Sequence, residues 1–429
     1  MSEINRNYPQ KEIVHPLTGE RIVMIQHPTG LPIYVWNKPG YKSSYAVFAT
    51  CYGSIDNHFC YNGKDITVPE GIAHFLEHKL FENEDCDAFE RYAATGANAN
   101  AFTSFDKTAY LFSCTGDIRP SLEILLDFVQ SPYFTAETVH KEQGIIGQEI
   151  RMCNDSPSRR VLFNLLKALY HDHPVRIDIA GTEESIAQIT PELLYDCYHA
   201  FYNLHNMVLT VVGDVTVEQV LEVADKVLKP ASPWEMVRPE TNEPATVVSE
   251  RVEEKMPVAA PLFYLGFKDL VSGSQTAQEL AAADVLLQVI IGRASPLYAR
   301  LMKEGLINTT FELEYFEGRD HAVWLFGGES RDPDAVKEAI LEEIDRLRTN
   351  GIDPVLFDAA RRAFYGRQVA QLNDVEGCGD LLVTDYFEGK APFDMLDAAA
   401  ALQLDTVQSM LAQRLQTTSC SLSVIRPEQ

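Results

Sequence analysis

The sequence contains a pentad whose residue types and spacing suit a metal site, His74-Phe75-Leu76-Glu77-His78. On a helix, His74 and His78 lie one turn apart on the same face, so both imidazoles can bind one tetrahedral Zn²⁺. Glu77 then points towards the open coordination position, where a carboxylate can act as a general base. The pentad therefore predicts two zinc ligands with a base beside them, which is the arrangement of a metallopeptidase.

The residues around the pentad have a helical pattern. Pro69 and Glu70 are typical of a helix start. An apolar stripe then recurs at helical spacing, at Ile72, Phe75, Leu76 and Leu80. We therefore expect the two histidines to lie on one helix, as the metal geometry requires.

A third ligand must come from elsewhere in the chain, because a catalytic zinc uses three protein ligands and keeps one position open. The best candidate is Glu149, in residues 137–150, whose apolar pattern is helical despite two glycines. Glu142 precedes Glu149 by two helical turns and shares its face. One of these carboxylates can bind the metal while the other supports the site.

With these residues the chain resembles the pitrilysin/insulysin (insulinase) family of inverted zinc metallopeptidases, which includes the mitochondrial processing peptidases. Within the family it is most similar to the bacterial YmfH-like branch. The resemblance implies that His74, His78 and Glu149 bind one Zn²⁺ per chain. It also implies that Glu77 is the base that activates water and that Glu142 is the supporting acidic residue.

A segment rich in glycine, alanine and asparagine, residues 96–105, follows the pentad. It is similar to the family's NAxT segment, an exposed edge strand that pairs with extended substrate. An unpaired edge offers backbone donors and acceptors to any extended peptide. The resemblance therefore places Asn100 and Ala101 close to the scissile bond and Phe102 in a substrate pocket. On residue type alone, Asn100 also fits a turn and Phe102 a core position.

A second group of potential ligands, His171-Asp172-His173, precedes Pro174 in a polar stretch. Proline and polar residues between periodic segments are typical of a loop. We therefore predict a solvated loop there rather than a second metal site.

Composition limits the remaining function classes. The chain has 429 residues, 46% of them hydrophobic and 23% charged, which is typical of a globular protein with more than one core. The net charge of −26 argues against nucleic acid as a partner and favours basic or neutral peptides, unless it only solubilises the surface.

Residues 1–12 are polar and no stretch reaches transmembrane length, so we expect a cytoplasmic protein without membrane association. The eight cysteines include no CxxC pair, which suits a reducing compartment.

A proline-rich seam interrupts the apolar periodicity near the middle of the chain. We predict a catalytic zinc-binding domain in residues 1–232, a linker in 233–257 and a second, inactive peptidase-like domain in 258–429. In each half a buried strand precedes an apolar helix, and two related domains would account for this order. The predicted fold is α+β, with two related α/β-sandwich domains whose mostly antiparallel sheets carry packed helices, and the resemblance implies a clam-shell arrangement.

The second half has no HxxEH pentad, so one chain can hold one zinc site. In the family this half supplies the facing wall of a substrate chamber. Met302 and Asn308 stand near the place where many members carry an arginine and a tyrosine that contact substrate, and neither is assigned a catalytic role. Members of this length pair to enclose the chamber, so we expect a homodimer or a heterodimer with a related inactive subunit.

Two functions are compatible with these observations. The first is a zinc-dependent endopeptidase that cleaves peptides or small unfolded polypeptides in an enclosed chamber. The alternative is a non-catalytic or partner-dependent subunit that binds peptides or scaffolds a heterodimeric protease. The presence of all three proposed ligands together with Glu77 favours the enzyme. The physiological substrate stays open, because strand addition leaves few specificity determinants in the sequence.

Overall fold

The computed structural model describes residues 8–84 and 86–428, so part of the polar stretch at residues 1–12 lies outside the described residues. The strands are β1 Gln10–Val14, β2 Arg21–Gln26, β3 Pro32–Asn37, β4 Ser43–Thr50, β5 His58–Tyr61, β6 Lys64–Thr67, β7 Asn98–Thr103, β8 Thr108–Thr115, β9 Met207–Gly213, β10 Met236–Val237, β11 Arg251–Met256, β12 Leu262–Asp269, β13 Glu312–Gly318, β14 His321–Glu329 and β15 Cys420–Pro427.

The α-helices are α1 Ile72–Phe81, α2 Ala88–Thr95, α3 Arg119–Val129, α4 Ala136–Asn154, α5 Pro157–Leu169, α6 Glu183–Ile186, α7 Pro191–Phe201, α8 Val217–Val227, α9 Ala277–Ile291, α10 Pro296–Glu304, α11 Pro333–Asn350, α12 Pro354–Gln371, α13 Val375–Phe387, α14 Asp394–Ala401 and α15 Leu404–Gln413. Short 3₁₀ helices cover Pro174–Arg176 and Leu204–Asn206. Within the described part of the chain, no single helix is long and apolar enough to cross a membrane, although the bent pair α9 and α10 meets the length and composition test jointly.

Two large sheets organise the chain. A seven-stranded sheet has the order β1-β2-β3-β9-β4-β8-β7, and a five-stranded sheet has the order β11-β15-β12-β14-β13. The small sheet β10-β5-β6 accompanies the first. Helices pack on both large sheets, and their side chains and the inward faces of the strands form the cores.

The two large sheets share a five-strand arrangement. In the first, β3 pairs parallel with β9, and the neighbours β9, β4, β8 and β7 pair antiparallel in that order. In the second, β11 pairs parallel with β15, and β15, β12, β14 and β13 follow antiparallel. The predicted α+β fold with two related domains and mostly antiparallel sheets is therefore confirmed.

The two compact units are not contiguous in sequence. The first contains residues 1–148, 178–239 and 371–392, and the second contains 149–177, 240–370 and 393–429. Helix α5, from the first half of the chain, packs on β12 and β15, whereas α13, from the second half, packs on β4 and β9. The two halves of the chain thus exchange one helix each. Boundaries at residues 232 and 258 do not coincide with those of the compact units, because each exchanged helix covers a sheet whose strands come mainly from the other half of the sequence.

Strand composition reflects this layering. After its first residue, every residue of β4 is buried, since α3 packs against this strand and α13 also covers it. A strand covered on both faces has no solvent side and reads as a near-continuous apolar run. In the second sheet, Gly266 of β12 allows the close approach of α5, because a Cβ there would lie 2.8 Å from the Leu165 side chain.

The segment expected to be a linker, residues 233–257, contains regular structure. Strand β10 pairs with β5, and β11 forms the edge of the five-stranded sheet. Between them, Glu243 forms an ion pair with the fully buried Lys268. The prolines break helical periodicity there, but backbone pairing and this ion pair tie the segment to the two units.

Candidate metal centre and active site

Helix α1 carries the two histidines of the pentad. Its N-cap is Gly71, whose φ of 87° is left-handed, and a Cβ there would lie 2.4 Å from the Ala180 carbonyl oxygen. Apolar side chains of α1 are buried and fix the helix in the core, namely Ile72, Phe75, Leu76, Leu80 and Phe81. The His74 and His78 rings then lie 4.6 Å apart between centroids, which places both imidazoles at one site.

Helix α4 brings Glu142 and Glu149 to the same site. The boundary between the compact units passes just before Glu149, within this unbroken helix. Glu142 is buried, and its Oε1 atom lies 3.0 Å from His78 Nδ1. With a proton on Nδ1, His78 donates this hydrogen bond and turns its Nε2 lone pair towards a metal.

Three side chains converge as a possible ligand set, and they are the three named from the sequence. One ligand atom from each of His74, His78 and Glu149 lies within 4.8 Å of the others. Zinc bonds of about 2.0–2.1 Å in a tetrahedral site separate ligand atoms by roughly 3.4 Å, a difference that small side-chain rotations can close. Two imidazoles and one carboxylate with a fourth position left over fit a catalytic Zn²⁺. Within the described residues, no other three His, Cys, Asp or Glu side chains meet this distance.

Glu77 lies between the histidines in α1 and is held by the neighbouring strand. Its side chain is buried, and its Oε2 atom accepts a hydrogen bond of 2.9 Å from Thr103 Oγ1. Thr103 pairs with Thr108 across β7 and β8, and Thr108 Oγ1 donates to the Tyr52 carbonyl at 2.8 Å. The sequence prediction did not include Thr103. The sequence feature that could have identified Thr103 is the alternation of side chains along β7, which places Thr103 on the same face as Ala101.

Comparisons with known proteins agree with this site. The model of the insulinase family, peptidase family M16, matches residues 64–183, and the model of the M16 inactive domain matches residues 188–364. The uncharacterized zinc protease YmfH of Bacillus subtilis strain 168 is 39% identical over 426 residues, covering 97% of this chain and 99% of that protein.

The chain belongs to the insulinase family, peptidase family M16.

Solved structures of this kind share the fold. An M16-like peptidase from Alicyclobacillus acidocaldarius is 35% identical with a TM-score of 0.91, and the match covers 100% of both chains. A protease from Helicobacter pylori matches with a TM-score of 0.81 at 18% identity, covering 98% of this chain and 100% of that one. At that identity the second likeness supports the fold alone. The family and its zinc-protease relatives support a peptidase role in general and suggest zinc as the metal.

In this insulinase-family chain, the segment expected to pair with substrate is an edge strand. Strand β7 is the last strand of its sheet and pairs with β8. Asn100 is exposed, whereas Ala101 and Phe102 are partly buried. The Ala101 amide donates to Asn100 Oδ1 at 2.9 Å.

The segment His171-Asp172-His173 was predicted to be a solvated loop, and it forms a bend before the 3₁₀ helix Pro174–Arg176. The backbone amides of these three residues all donate to the Glu243 carboxylate, at 2.8–2.9 Å. His173 is buried rather than solvated. Burial, reinforced by the nearby His321, lowers the pKa of His173 to about 3. The loop is thus an anchoring point of the second unit.

Met302 and Asn308 have structural surroundings that account for them. Met302 packs against the apolar core of the second unit. Asn308 donates to the Glu329 carboxylate at 2.9 Å and accepts from the Thr310 amide at 2.8 Å. These contacts stabilise the turn between α10 and β13, and we assign neither residue a catalytic role.

Proposed function

We propose that this chain is a zinc-dependent endopeptidase that cleaves peptides or small unfolded polypeptides, with Glu77 as the general base. The observation that carries the proposal is the convergence of His74, His78 and Glu149 beside a buried carboxylate. Zinc bound there would supply Lewis-acid character that polarises a scissile carbonyl and acidifies water. The enclosed chamber implied by the family resemblance is part of the same proposal.

Each side chain has a definite role in this proposal. Glu77 takes a proton from the attacking water on one carboxylate oxygen and returns it to the leaving amine. The hydrogen bond from Thr103 to Oε2 holds the Glu77 carboxylate in one orientation. Glu142 orients His78 through its Nδ1 atom and increases the basicity of that imidazole.

The substrate would bind as an additional strand on the open edge of β7. Backbone hydrogen bonds to an edge strand require no particular side chains, so they suit a protease of broad specificity. Strand alternation places Ala101 and Thr103 on one face and Asn100 and Phe102 on the other. Because Thr103 contacts Glu77, a peptide paired along β7 would lie next to the base.

The test combines metal analysis with a cleavage assay. We expect the purified chain to contain stoichiometric zinc and to cleave a quenched fluorescent peptide library in a chelator-sensitive manner. Glu77→Gln should keep the zinc and lose turnover, and His78→Ala should lose the zinc. Two exposed residues provide matched controls, Glu90→Gln and His140→Ala, which should behave as the wild type.

The outcomes separate the proposal from its alternative. A Glu77→Gln variant with full activity would refute the base assignment. Zinc without cleavage by the chain alone would favour a partner-dependent subunit, and absence of zinc would favour the non-catalytic peptide-binding role. We further propose a cytoplasmic homodimer, or a heterodimer with a related inactive subunit, which light scattering coupled to gel filtration would test.

A further inference from the structure

The second unit contains a cavity of about 540 Å³. It lies among α9, α12 and β13, with Tyr298 of α10 at one side. This volume falls in the range of small-molecule sites. The cavity is separate from the candidate metal centre, because none of its lining residues belongs to that centre.

The walls of the cavity are largely apolar. Ile291, Phe311, Leu313 and Leu356 contribute large side chains, and α12 adds alanines that leave the space open. Ile291 and Phe311 are buried in the core of this unit, so this wall is fixed by packing. Such a surface favours contact with the apolar part of a ligand over contact with a strongly hydrated group.

The cavity is lined by several polar side chains, and only some of them are paired with each other. Arg293, Tyr298 and Gln288 line it. Among residues 8–84 and 86–428, none of these three side chains has a hydrogen-bond or ion-pair partner. A fourth donor, Arg367, is already paired with Asp284 at 2.5 Å. The group available for a new ion pair is therefore the Arg293 guanidinium.

The charge of the cavity is opposite to that of the chain. Its lining includes the guanidinium groups of Arg293 and Arg367 and the carboxylate of Asp284, which leaves one positive charge in excess. The whole chain carries a formal charge of −26. A positive, mostly apolar cavity on an acidic protein selects a ligand with one negative charge rather than a polyanion.

The topology gives this cavity a counterpart in the first unit. In each unit two helices precede the two strands at the sheet edge and two further helices follow them, so α9, β13 and α12 correspond to α1, β7 and α4. Asp284 and Gln288 have the four-residue spacing of His74 and His78. Arg367 pairs with Asp284 across helices α12 and α9, where the first unit brings together a glutamate and a histidine. The second unit thus retains the cleft without the ligand set.

We propose that this cavity binds a small carboxylate with an apolar body. The Arg293 guanidinium pairs with the carboxylate, since its planar fork matches two carboxylate oxygens. Ile291, Leu313 and Leu356 contact the apolar body, and Tyr298 offers a further hydrogen bond. The carboxylate could be the C-terminus of a short peptide or a free organic acid, which share this chemistry.

The test is isothermal titration of the full chain after chelator treatment, so that a carboxylate cannot bind through a metal. The probes are N-acetylphenylalanine, N-acetylphenylalaninamide and 3-phenylpropionate. We expect N-acetylphenylalanine to bind and its amide to bind at least tenfold more weakly. Equal binding of 3-phenylpropionate would identify a free-acid site, and preference for N-acetylphenylalanine would identify a peptide C-terminus; both outcomes support the proposal.

Variants locate the binding. Arg293→Gln should weaken N-acetylphenylalanine at least tenfold and, because Arg293 is exposed, should fold normally. Arg300→Gln is the matched control, since Arg300 is exposed on α10 and does not line the cavity. The proposal is overturned if the wild type binds no probe at millimolar concentration, if the amide binds equally, or if Arg293→Gln binds like Arg300→Gln. These results do not depend on peptidase activity, so the proposed function can fail separately.

Discussion

Thr103 Oγ1 donates a hydrogen bond to Glu77 Oε2 over 2.9 Å, which joins the edge strand β7 to the carboxylate proposed as the base. The two residues are 26 positions apart in sequence and lie on a strand and a helix that pack together. A carboxylate fixed by such a bond keeps one orientation before substrate arrives, which lowers the cost of proton transfer in the correct geometry. The same threonine lies on the strand that would carry the substrate.

Replacing Thr103 with valine removes the hydroxyl while keeping a similar shape. We expect kcat/KM for a fluorogenic peptide to fall about 10- to 150-fold, because a hydrogen bond to a charged group contributes roughly 1.5–3 kcal/mol. Zinc content should not change, because Thr103 is not a ligand. Thr103→Ser retains the hydroxyl and should recover most of the rate. Loss of zinc in Thr103→Val, or an unchanged rate, would contradict the positioning role.

Glu142 orients a proposed ligand, so its replacement should weaken metal binding. Glu142→Gln keeps the size of the side chain but loses the charge that supports the His78 Nδ1 proton. We expect zinc affinity to fall about 10–100-fold, as is usual when such a partner is lost. Competition with a chromophoric chelator measures the affinity. The control is Glu137→Gln, an exposed acid on the same helix, and equal affinities in the two variants would disprove the role.

His173 should make the protein less stable in mild acid. Burial and the nearby His321 lower its pKa to about 3, whereas an unfolded histidine titrates near about 6.5. Below about pH 6.5 the unfolded chain therefore binds a proton that the folded chain does not, and stability is lost as pH falls towards 3. Between pH 7.5 and 5.5 this one residue should contribute a loss of about 1.4 kcal/mol in the free energy of unfolding.

The measurement for His173 is urea unfolding as a function of pH. In the wild type the Val175 amide donates a hydrogen bond to His173 Nδ1 at 3.1 Å. His173→Asn removes the titrating ring and keeps a side-chain acceptor for this amide. We expect a flatter stability profile between pH 7.5 and 5.5 in this variant. His58→Asn, at a side chain that is 46% exposed, should keep the wild-type profile. Parallel profiles for wild type and His173→Asn would reject this assignment.

Glu243 should stabilise the second unit over a different pH range. Burial alone would raise the pKa of Glu243, but the Lys268 ammonium and three backbone amides outweigh it and lower the pKa to about 2. Its contribution is complete above the unfolded pKa of about 4.3 and is lost progressively as pH falls from there to about 2. Glu243→Gln leaves a buried lysine without its counter-ion, which should cost about 3–5 kcal/mol.

Urea unfolding again provides the readout for Glu243. The destabilisation of Glu243→Gln should be the same at pH 7.5 and pH 5.5, in contrast to the pH-dependent effect at His173. Glu240→Gln changes a nearby exposed acid and should alter stability by less than about 0.5 kcal/mol. A variant Glu243→Gln as stable as Glu240→Gln would show that the ion pair does not anchor this segment.

The sequence predicted those features that depend on local periodicity. The helix of the pentad, the helix of Glu149 and the edge strand near Asn100 all form where their patterns indicated. Spacing alone left open which of Glu142 and Glu149 would bind metal. In the structure Glu142 contacts His78 Nδ1, whereas Glu149 is the carboxylate that lies with His74 and His78 in the possible ligand group.

Other features could not be read from the sequence because they depend on contacts between distant segments. Neither the exchange of α5 and α13 between the units nor the Glu243–Lys268 pair has a local signal, and the prolines near Glu243 indicated a linker instead. Likewise, Arg293 has no distinguishing feature in the sequence, and only packing of α9, α12 and β13 places it at a cavity.

The sequence by itself determined the chemistry of the metal pentad and the type of each main element, because helix and strand periods act over a few residues. The tertiary structure alone determined which hydroxyl holds Glu77, which histidine atom Glu142 contacts and where the second cleft remains open, because burial and long-range packing bring those groups together.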